Sequence, residues 1–146
     1  MTTEYKSIVV AVDGSKEAEY AFRKSLDVAY RNQGSHLNIV NIIDMRYLGP
    51  LDKELAEQVK EKSRKVLDRY KARAVAARVE NVNIIIEYGS PKTVITKEIA
   101  NSVKADLIMC GATGHTPVER YLIGSVSQAI VRSAKCDVLV IRTPAE

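Results

Sequence analysis

The sequence predicts an α/β protein built on an open, doubly wound parallel sheet, and two features support that prediction. Short β-branched runs, typical of strands buried on both faces, alternate along the chain with longer amphipathic segments typical of helices. Five such runs and four such segments follow one another within 146 residues, a length typical of one domain. This alternation indicates parallel strands with helices on both faces of the sheet. We therefore expect a single domain over residues 1–146.

The strands are predicted from short apolar runs that lie between turn-forming or charged residues. In order, the runs are Ser7–Val12, Leu37–Ile43, Val82–Glu87, Asp106–Cys110 and Asp137–Ile141. Crossovers between parallel strands are right-handed, so a sheet covered on both faces must reverse its winding somewhere. Ligands of such sheets bind outside the carboxyl ends of the strands at that reversal.

The helices are predicted from apolar spacing and from the residues at their ends. Ser15 is placed as the N-cap of a first helix that continues to about Asn32, and Ser90-Pro91 places a cap and a first-turn proline at the start of the third. The last helix covers about Ser125–Ser133. The apolar residues at helical spacing are Leu55, Val59, Val66, Tyr70 and Ala74 in the second helix, and Val94, Ile95, Ile99 and Val103 in the third.

Composition predicts a cytoplasmic protein that contacts neither membrane nor nucleic acid. The apolar runs are too short to span a bilayer, and the first residues lack the pattern of a secretory signal. Cys110 and Cys136 have no zinc-ligand spacing, and each abuts a strand-like run. The net charge is +4, but residues 51–80 mix nine Lys or Arg with six Asp or Glu. Such mixing is typical of a solvated helix face and not of a phosphate-binding patch.

The loop after the first strand carries one set of candidate binding residues. Asp13 follows the strand directly, and its carboxylate can accept hydrogen bonds from ribose hydroxyls or an adenine edge. A plain turn explains the same residues, with Asp13 as a local acceptor, Gly14 in the turn and Ser15 as the helix cap. The residues alone leave both interpretations open.

The loop after the fourth strand carries a second set. Gly111, Gly114 and Gly124 lie within fourteen residues, and glycine permits the close approach and exposed N–H groups that phosphates need. Ser125 opens the last helix, whose N-terminus attracts anions. Ser125-Val-Ser-Gln128 also fits a capping box, which explains the serine without a ligand. Capping does not explain three glycines.

The glycine spacing resembles that of a known family. G-x-x-G, nine residues and then G-S, following a strand, is similar to the motif of the ATP-binding branch of the universal stress protein family. Gly111, Gly114, Gly124 and Ser125 occupy its positions, and Val10–Ser15 resembles the family's first strand and loop. The resemblance implies a Rossmann-like sheet, akin to that of adenine nucleotide alpha hydrolases, with strand order 3-2-1-4-5. The winding would then reverse between strands one and four.

The resemblance also implies a ligand and a set of site residues. The ligand would be ATP, or else ADP or AMP, with Mg²⁺ carried by the nucleotide. Asp13 would contact the nucleoside, the Ile42 backbone the adenine edge, and Gly111 would let the ribose and α-phosphate approach. Val12 and Cys110 would form pocket wall. The residues around the phosphates would be Gly114, His115, Gly124, Ser125, Val126 and Ser127. Ala112 and Thr113 depart from the family pattern, which weakens any expectation of a side-chain cation there.

Three functions remain open for such a protein. The first is a nucleotide-dependent regulatory or stress-response protein with an unknown protein partner. The second is an ATP-hydrolysing or adenylyl-transferring enzyme, and the third is a dimeric scaffold that binds no nucleotide. The sequence lacks the P-loop, the dinucleotide fingerprint and the nucleophile elbow, and His115 has no spaced carboxylate partner. We predict no catalytic residue, and the intact glycine motif favours the first function.

The fifth strand predicts a homodimer. Residues Asp137–Arg142 are apolar on both faces, yet the implied order places them at a sheet edge. An apolar edge with unpaired backbone groups invites pairing with a second chain, and a two-fold axis would close the pair. The alternative is that the long helix or a loop shields the strand.

Overall fold

A computed structural model describes residues 4–44, 53–112 and 124–144. The strands are β1 (Ser7–Ala11), β2 (His36–Ile43), β3 (Asn81–Tyr88), β4 (Leu107–Gly111) and β5 (Asp137–Ile141). The helices are α1 (Lys16–Arg31), α2 (Lys53–Ala76), α3 (residues 91–102) and α4 (Ser125–Ser133). No helix in these ranges is long and apolar enough to cross a membrane.

The five strands form one parallel sheet in the order β3-β2-β1-β4-β5. The predicted open, doubly wound sheet and its strand order are both confirmed. The chain steps outward from β1 to β3 and then returns to place β4 on the other side of β1. The winding therefore reverses between β1 and β4, as the resemblance implies.

Two apolar layers cover the sheet because successive strand residues point to opposite faces. On one face, α1 and α2 pack on alternate strand residues, and the members of this layer include Phe22, Leu67, Ile8, Val10, Leu37 and Ile39. On the other face lie α3 and α4, and this layer includes Ile95, Ile130, Val9, Val40 and Ile108. Every strand next to the reversal is thus buried on both sides, which explains its continuous apolar run.

Helix α3 differs from the ordinary helix that its spacing predicted. Pro91–Thr93 and Ala100–Ser102 are α-helical turns, but Val94–Ile99 between them is π-helical. The Ala100 N–H donates to the Ile95 carbonyl, five residues back, as a π-helical turn requires. Pro91 stands in the first turn as predicted, but the Ser90 side chain makes no capping hydrogen bond.

An ion pair clamps α1 to α2 on the first face. The Arg73 guanidinium donates to both carboxylate oxygens of Glu19, at 2.7 and 2.5 Å, and Arg23 donates to the same carboxylate. Arg73 also lies over the rings of Phe22 and Tyr70, which pack against each other. These hydrogen bonds, that from Arg73 above all, lower the pKa of the Glu19 carboxyl.

Candidate functional site

The candidate site lies at the carboxyl edge of the sheet, where the winding reverses. β1 and β4 are parallel neighbours, with Val10 opposite Met109, so both strands end at the same edge. α1 begins just after β1 at Lys16, and α4 begins at Ser125, beyond the loop that follows β4. Two helix N-termini therefore start from this edge, beside the two loops whose chemistry the sequence points out.

The loop after β1 is a capped turn. The Ser15 Oγ accepts the Ala18 N–H at 3.1 Å, and the Asp13 carboxylate accepts the Ser15 N–H at 2.9 Å. Gly14 has φ +83°, in the left-handed region that favours glycine. The predicted cap is confirmed. Asp13 remains exposed, so the turn does not bury its carboxylate away from a ligand.

The end of β1 is held to β2 by a side chain. The last pair of the two strands is Ala11 with Val40, one residue short of the predicted strand end at Val12. Val12 N–H still donates to the Val40 carbonyl at 2.8 Å, but the Val12 carbonyl accepts the side-chain amide of Asn41 at 2.7 Å. The hydroxyl of Ser63, on α2, donates to the other end of that amide at 2.8 Å. The Val12 side chain is buried in the core under α1.

The Ile42 backbone extends past the end of β1. In a parallel strand, alternate residues turn both the N–H and the carbonyl toward the same neighbour. Val40 faces β1, because its carbonyl accepts the Val12 N–H, and Ile43 faces β3, because its carbonyl accepts the Gly89 N–H. Ile42 therefore faces the β1 side, beyond the last pair of the ladder.

Gly111 and Cys110 end β4 against other parts of the protein. A Cβ built on Gly111 would lie 3.0 Å from the Glu17 carbonyl oxygen of α1, closer than most Cβ contacts, so packing alone already favours glycine there. Cys110 is 4% exposed on the α4 side of the sheet. Burial raises the pKa of its thiol to about 11, against a smaller opposing effect from a hydrogen bond with Ser127.

Helix α4 is attached to the end of β4 at its first residues. The N-cap is Gly124, and its N–H donates to the Ala112 carbonyl at 2.7 Å. The Gln128 N–H donates to the Gly124 carbonyl, so Ser125 is the first helical residue, and the N-cap, being glycine, has no side chain to cap the helix. The capping box built on Ser125 is therefore wrong: the helix begins one residue earlier than that motif requires.

Ser127 fixes the same helix from its buried side. Its side chain is buried, and its hydroxyl donates to the Gly111 carbonyl at 2.6 Å, with a second contact to Ala112 at 3.2 Å. The hydroxyl is thus engaged within the fold, which leaves only the backbone N–H of Ser127 for the phosphate contact that the resemblance implies. Ser125 is exposed and Val126 is half-buried.

The structure brings most of the predicted site residues to one edge, and two lie outside the residues it describes. Asp13, the Ile42 backbone, Gly111 and the start of α4 lie at or just beyond the carboxyl ends of β1, β2 and β4. Gly114 and His115 belong to the part of the loop, residues 113–123, that is not described. Within the described ranges no group of three or more His, Cys, Asp or Glu side chains is placed to hold a metal.

The comparison with known families decides which family the chain belongs to. The model of the universal stress protein family matches residues 4–142, which is almost the entire chain. The chain belongs to the universal stress protein family. A protein of Staphylococcus saprophyticus named as a universal stress protein is 51% identical over 142 residues, covering 95% of this chain and 84% of the relative.

Solved structures of universal stress proteins share the fold. Universal stress protein UspA from Lactobacillus plantarum superposes with a TM-score of 0.82 at 32% identity, covering 97% of this chain and 100% of the other. A universal stress protein solved in complex with cAMP superposes with a TM-score of 0.73 at 26% identity, with coverage of 97% and 100%.

In this universal stress protein, Asn41 and Ser63 hold the end of β1 beside the candidate site, and the sequence did not point to either of them. Asn41 interrupts the apolar run of β2, and a polar residue in a buried strand signals a specific hydrogen bond. Its partners lie 29 and 22 residues away along the chain, so the sequence offers no way to name them.

Proposed function

We propose that this universal stress protein binds an adenine nucleotide at the carboxyl edge of its sheet and acts as a nucleotide-dependent regulator. The single domain would span residues 1–146, and ATP is the proposed ligand, with ADP and AMP as alternatives. The main support is the anchored start of α4, where Gly124 is hydrogen-bonded to the end of β4 beside the Asp13 turn. A helix N-terminus held at a winding reversal is suited to bind an anion, and ligands of such sheets bind at the strand ends next to it.

The nucleoside is proposed to lie against the ends of β1 and β2. The exposed Asp13 carboxylate is a strong acceptor for ribose hydroxyls. The Ile42 N–H and carbonyl, both directed past the end of β1, match the acceptor and donor pair on an adenine edge. Val12 and Cys110 are buried on opposite faces of the sheet and form the apolar wall beneath.

The phosphates are proposed to lie at the N-terminus of α4. The N–H groups of Ser125, Val126 and Ser127 precede the first hydrogen bond within the helix and point along its axis. Gly124 has φ −63°, a conformation open to any residue, so backbone geometry does not require its glycine. A phosphate bound close to this position would supply a reason for the glycine, because a side chain there would obstruct it. We propose that Gly114 and His115 complete the phosphate site and that Mg²⁺ arrives with the nucleotide.

The related structure with cAMP supports the class of ligand. That protein is 26% identical to this one and carries an adenine nucleotide. Its similarity covers 97% of this chain, which includes both loops of the proposed site.

The nucleotide is proposed to regulate and not to be turned over rapidly. The first turn of α4 offers Ser125, Val126 and Ser127, none of which is an acid or base at neutral pH, and the Ser127 hydroxyl is engaged with Gly111. Outside the described residues, the loop adds only Glu119 and His115, and His115 has no spaced carboxylate partner in the sequence. Activation of water needs such a group within reach of the γ-phosphate. We therefore propose that hydrolysis is slow, well below roughly 1 s⁻¹, the lower end of ordinary enzyme turnover. The proposed setting is the cytoplasm, where ATP is abundant.

Mass spectrometry of nucleotide released from the purified protein by heat tests the proposal. We expect an adenine nucleotide in the supernatant, or uptake of added ATP by the stripped protein in equilibrium dialysis. Release of no adenine nucleotide together with no uptake of ATP, ADP or AMP would refute the function.

A further inference from the structure

The two hydrogen bonds of Asn41 link helix α2 to the Val12 carbonyl, one residue beyond the end of β1. Its amide nitrogen donates to the Val12 carbonyl at 2.7 Å, and its amide oxygen accepts the Ser63 hydroxyl at 2.8 Å. The orientation of the amide is determined chemically, because a backbone carbonyl can only accept and therefore must face the nitrogen. Ser63 then fixes the oxygen end and holds the nitrogen toward Val12.

This side chain occupies the place of a ladder hydrogen bond. If β1 and β2 paired for one more residue, Val12 would stand opposite Asn41, and the Val12 carbonyl would accept the Ile42 N–H. The ladder stops at Ala11 with Val40, so that bond is not part of the sheet. The Asn41 amide supplies the donor instead. The Val12 carbonyl is satisfied, and the sheet makes no demand on the Ile42 N–H.

We propose that Asn41, oriented by Ser63, is a positioning residue that keeps the Ile42 backbone available to the nucleobase and so sets the preference for adenine. This inference rests on the proposed nucleotide site. Asn41 acts through Ile42 and does not itself contact the ligand. Its neighbour Asn38 also donates to a β1 carbonyl, that of Ile8 at 3.0 Å, but in the middle of the ladder, where Asn38 pairs with Val9.

The preference for adenine can be measured by comparing two bases whose hydrogen-bonding edges are opposite. The Ile42 N–H donates and its carbonyl accepts, which suits adenine, whose edge pairs a ring-nitrogen acceptor with an amino donor. Hypoxanthine, the base of ITP, carries a ring N–H and a carbonyl in those places. A site built to hydrogen-bond one pattern leaves polar groups unpaired with the other. The wild type is therefore expected to prefer ATP over ITP.

Amide hydrogen exchange of the nucleotide-free protein, followed by NMR, tests the inference without any ligand. In the wild type, the Ile42 N–H is expected to exchange at least roughly tenfold faster than the paired Val40 N–H. In Asn41→Asp, which keeps the side-chain shape but loses the donor, Ile42 is expected to slow toward Val40 as it takes over the Val12 carbonyl. Equal protection of Ile42 and Val40 in the wild type would overturn the proposal.

Calorimetric titration with ATP and with ITP tests the consequence for binding. Asn41→Asp is expected to weaken ATP by about tenfold, the worth of one hydrogen bond, while ITP changes little, so the ratio collapses. Ser63→Ala is expected to shift the ratio in the same direction by less. The matched control Asn38→Leu should leave the ratio at its wild-type value even where it lowers stability.

Absence of the nucleotide site and absence of the Asn41 positioning role give different experimental results. If the wild type binds no nucleotide, the proposed function is wrong, whereas the exchange experiment still decides the role of Asn41. If the wild type binds ATP and Asn41→Asp keeps the full ATP-to-ITP ratio, the positioning role is wrong and the site stands. A variant that weakens ATP and ITP equally also rejects the positioning role, because general loosening affects both ligands alike.

Discussion

The described glycines of the site differ in whether their own conformation and packing account for them. Gly14 has φ +83°, which residues with side chains rarely adopt, and a Cβ at Gly111 would crowd the Glu17 carbonyl oxygen at 3.0 Å. Gly124 is in an extended conformation with φ −63° that any residue can adopt. Among the site glycines that the structure describes, only Gly124 has no such reason, which makes it the most informative position for a ligand.

Gly111→Ala is expected to destabilise the protein in the absence of any nucleotide. Its Cβ would press on the Glu17 carbonyl oxygen at 3.0 Å, and that oxygen belongs to helix backbone that cannot rotate away. Overpacking of this kind costs about 1–3 kcal/mol. Urea denaturation of the nucleotide-free protein measures it. An unchanged midpoint would mean that Gly111 is kept for ligand approach alone.

Asp13→Ala and Ser125→Ala are expected to separate the two ends of the ligand. Asp13 is proposed to contact the nucleoside, so its loss should weaken adenosine and ATP alike, by about tenfold for a charge-assisted hydrogen bond. Ser125→Ala should weaken ATP more than adenosine, because Ser125 lies at the α4 N-terminus. Titration calorimetry with both ligands provides the comparison, and the reversed pattern would mean that the nucleotide lies the other way round.

Among individual residues, interactions between residues close together in the sequence could be predicted, whereas those between residues far apart in the sequence could not. The Ser15 cap involves residues three apart and follows from the sequence. The capping box at Ser125 failed because a helix that starts at Gly124 or one residue later fits the same letters. The bond from Asn41 to Val12 spans 29 residues and depends on the register of two strands, which no local pattern fixes.

Helices α1 and α2 are joined by a contact whose strength depends on pH. Arg73 and Arg23 lower the pKa of the Glu19 carboxyl, so the folded state favours the charged form. A carboxyl with a lowered pKa stabilises the fold above its unfolded pKa, and that contribution is lost as the pH falls through the folded pKa.

Glu19→Gln is therefore expected to differ from the wild type most at neutral pH. The difference in unfolding free energy should be full above the unfolded pKa, near 4.5, and should shrink as the pH falls below it. Urea denaturation at pH 7, 5 and 3 measures the trend. A difference that stays constant over that range would contradict the assignment of the low pKa to Glu19.

The one helix that the sequence misjudged is α3. Its buried residues Val94, Ile95 and Ile99 suit either an α-helix or a wider turn, since spacings of four and five both appear among them. Intrinsic helix propensity does not distinguish the two, so the π-helical hydrogen bond from Ala100 to Ile95 could not be predicted.

For the whole molecule, the number and type of elements could be predicted from periodicity, but the order of the strands in the sheet could not. The switch between strand-like and helical periodicity fixes five strands and four helices, and burial on both faces fixes a parallel sheet. The order β3-β2-β1-β4-β5 follows from the family resemblance and not from periodicity. Handedness rules require a reversal but do not say between which strands it falls.

The chain is expected to form a homodimer through residues 137–142. β5 lies at the sheet edge with β4 on one side only, and Leu139 on it and Val131 on the adjacent α4 are 38% and 51% exposed. Pairing of two edges would satisfy the backbone groups and cover these side chains. Sedimentation equilibrium at micromolar concentration should give twice the 16.2 kDa chain mass, and Leu139→Lys should lower it toward one chain. A wild-type mass of one chain would exclude the dimer.

The most direct test of the nucleotide site is the ATP affinity of Gly124→Val, measured by titration calorimetry beside the wild type. The backbone of Gly124 accommodates valine, but a branched side chain at the start of α4 would stand in the proposed path of the phosphates. Circular dichroism checks that both proteins are folded. We predict that ATP binds the wild type and that the variant loses at least about tenfold in affinity, which is roughly 1.4 kcal/mol. Equal affinity in the two proteins would contradict the placement of the phosphates, and with it the proposed site.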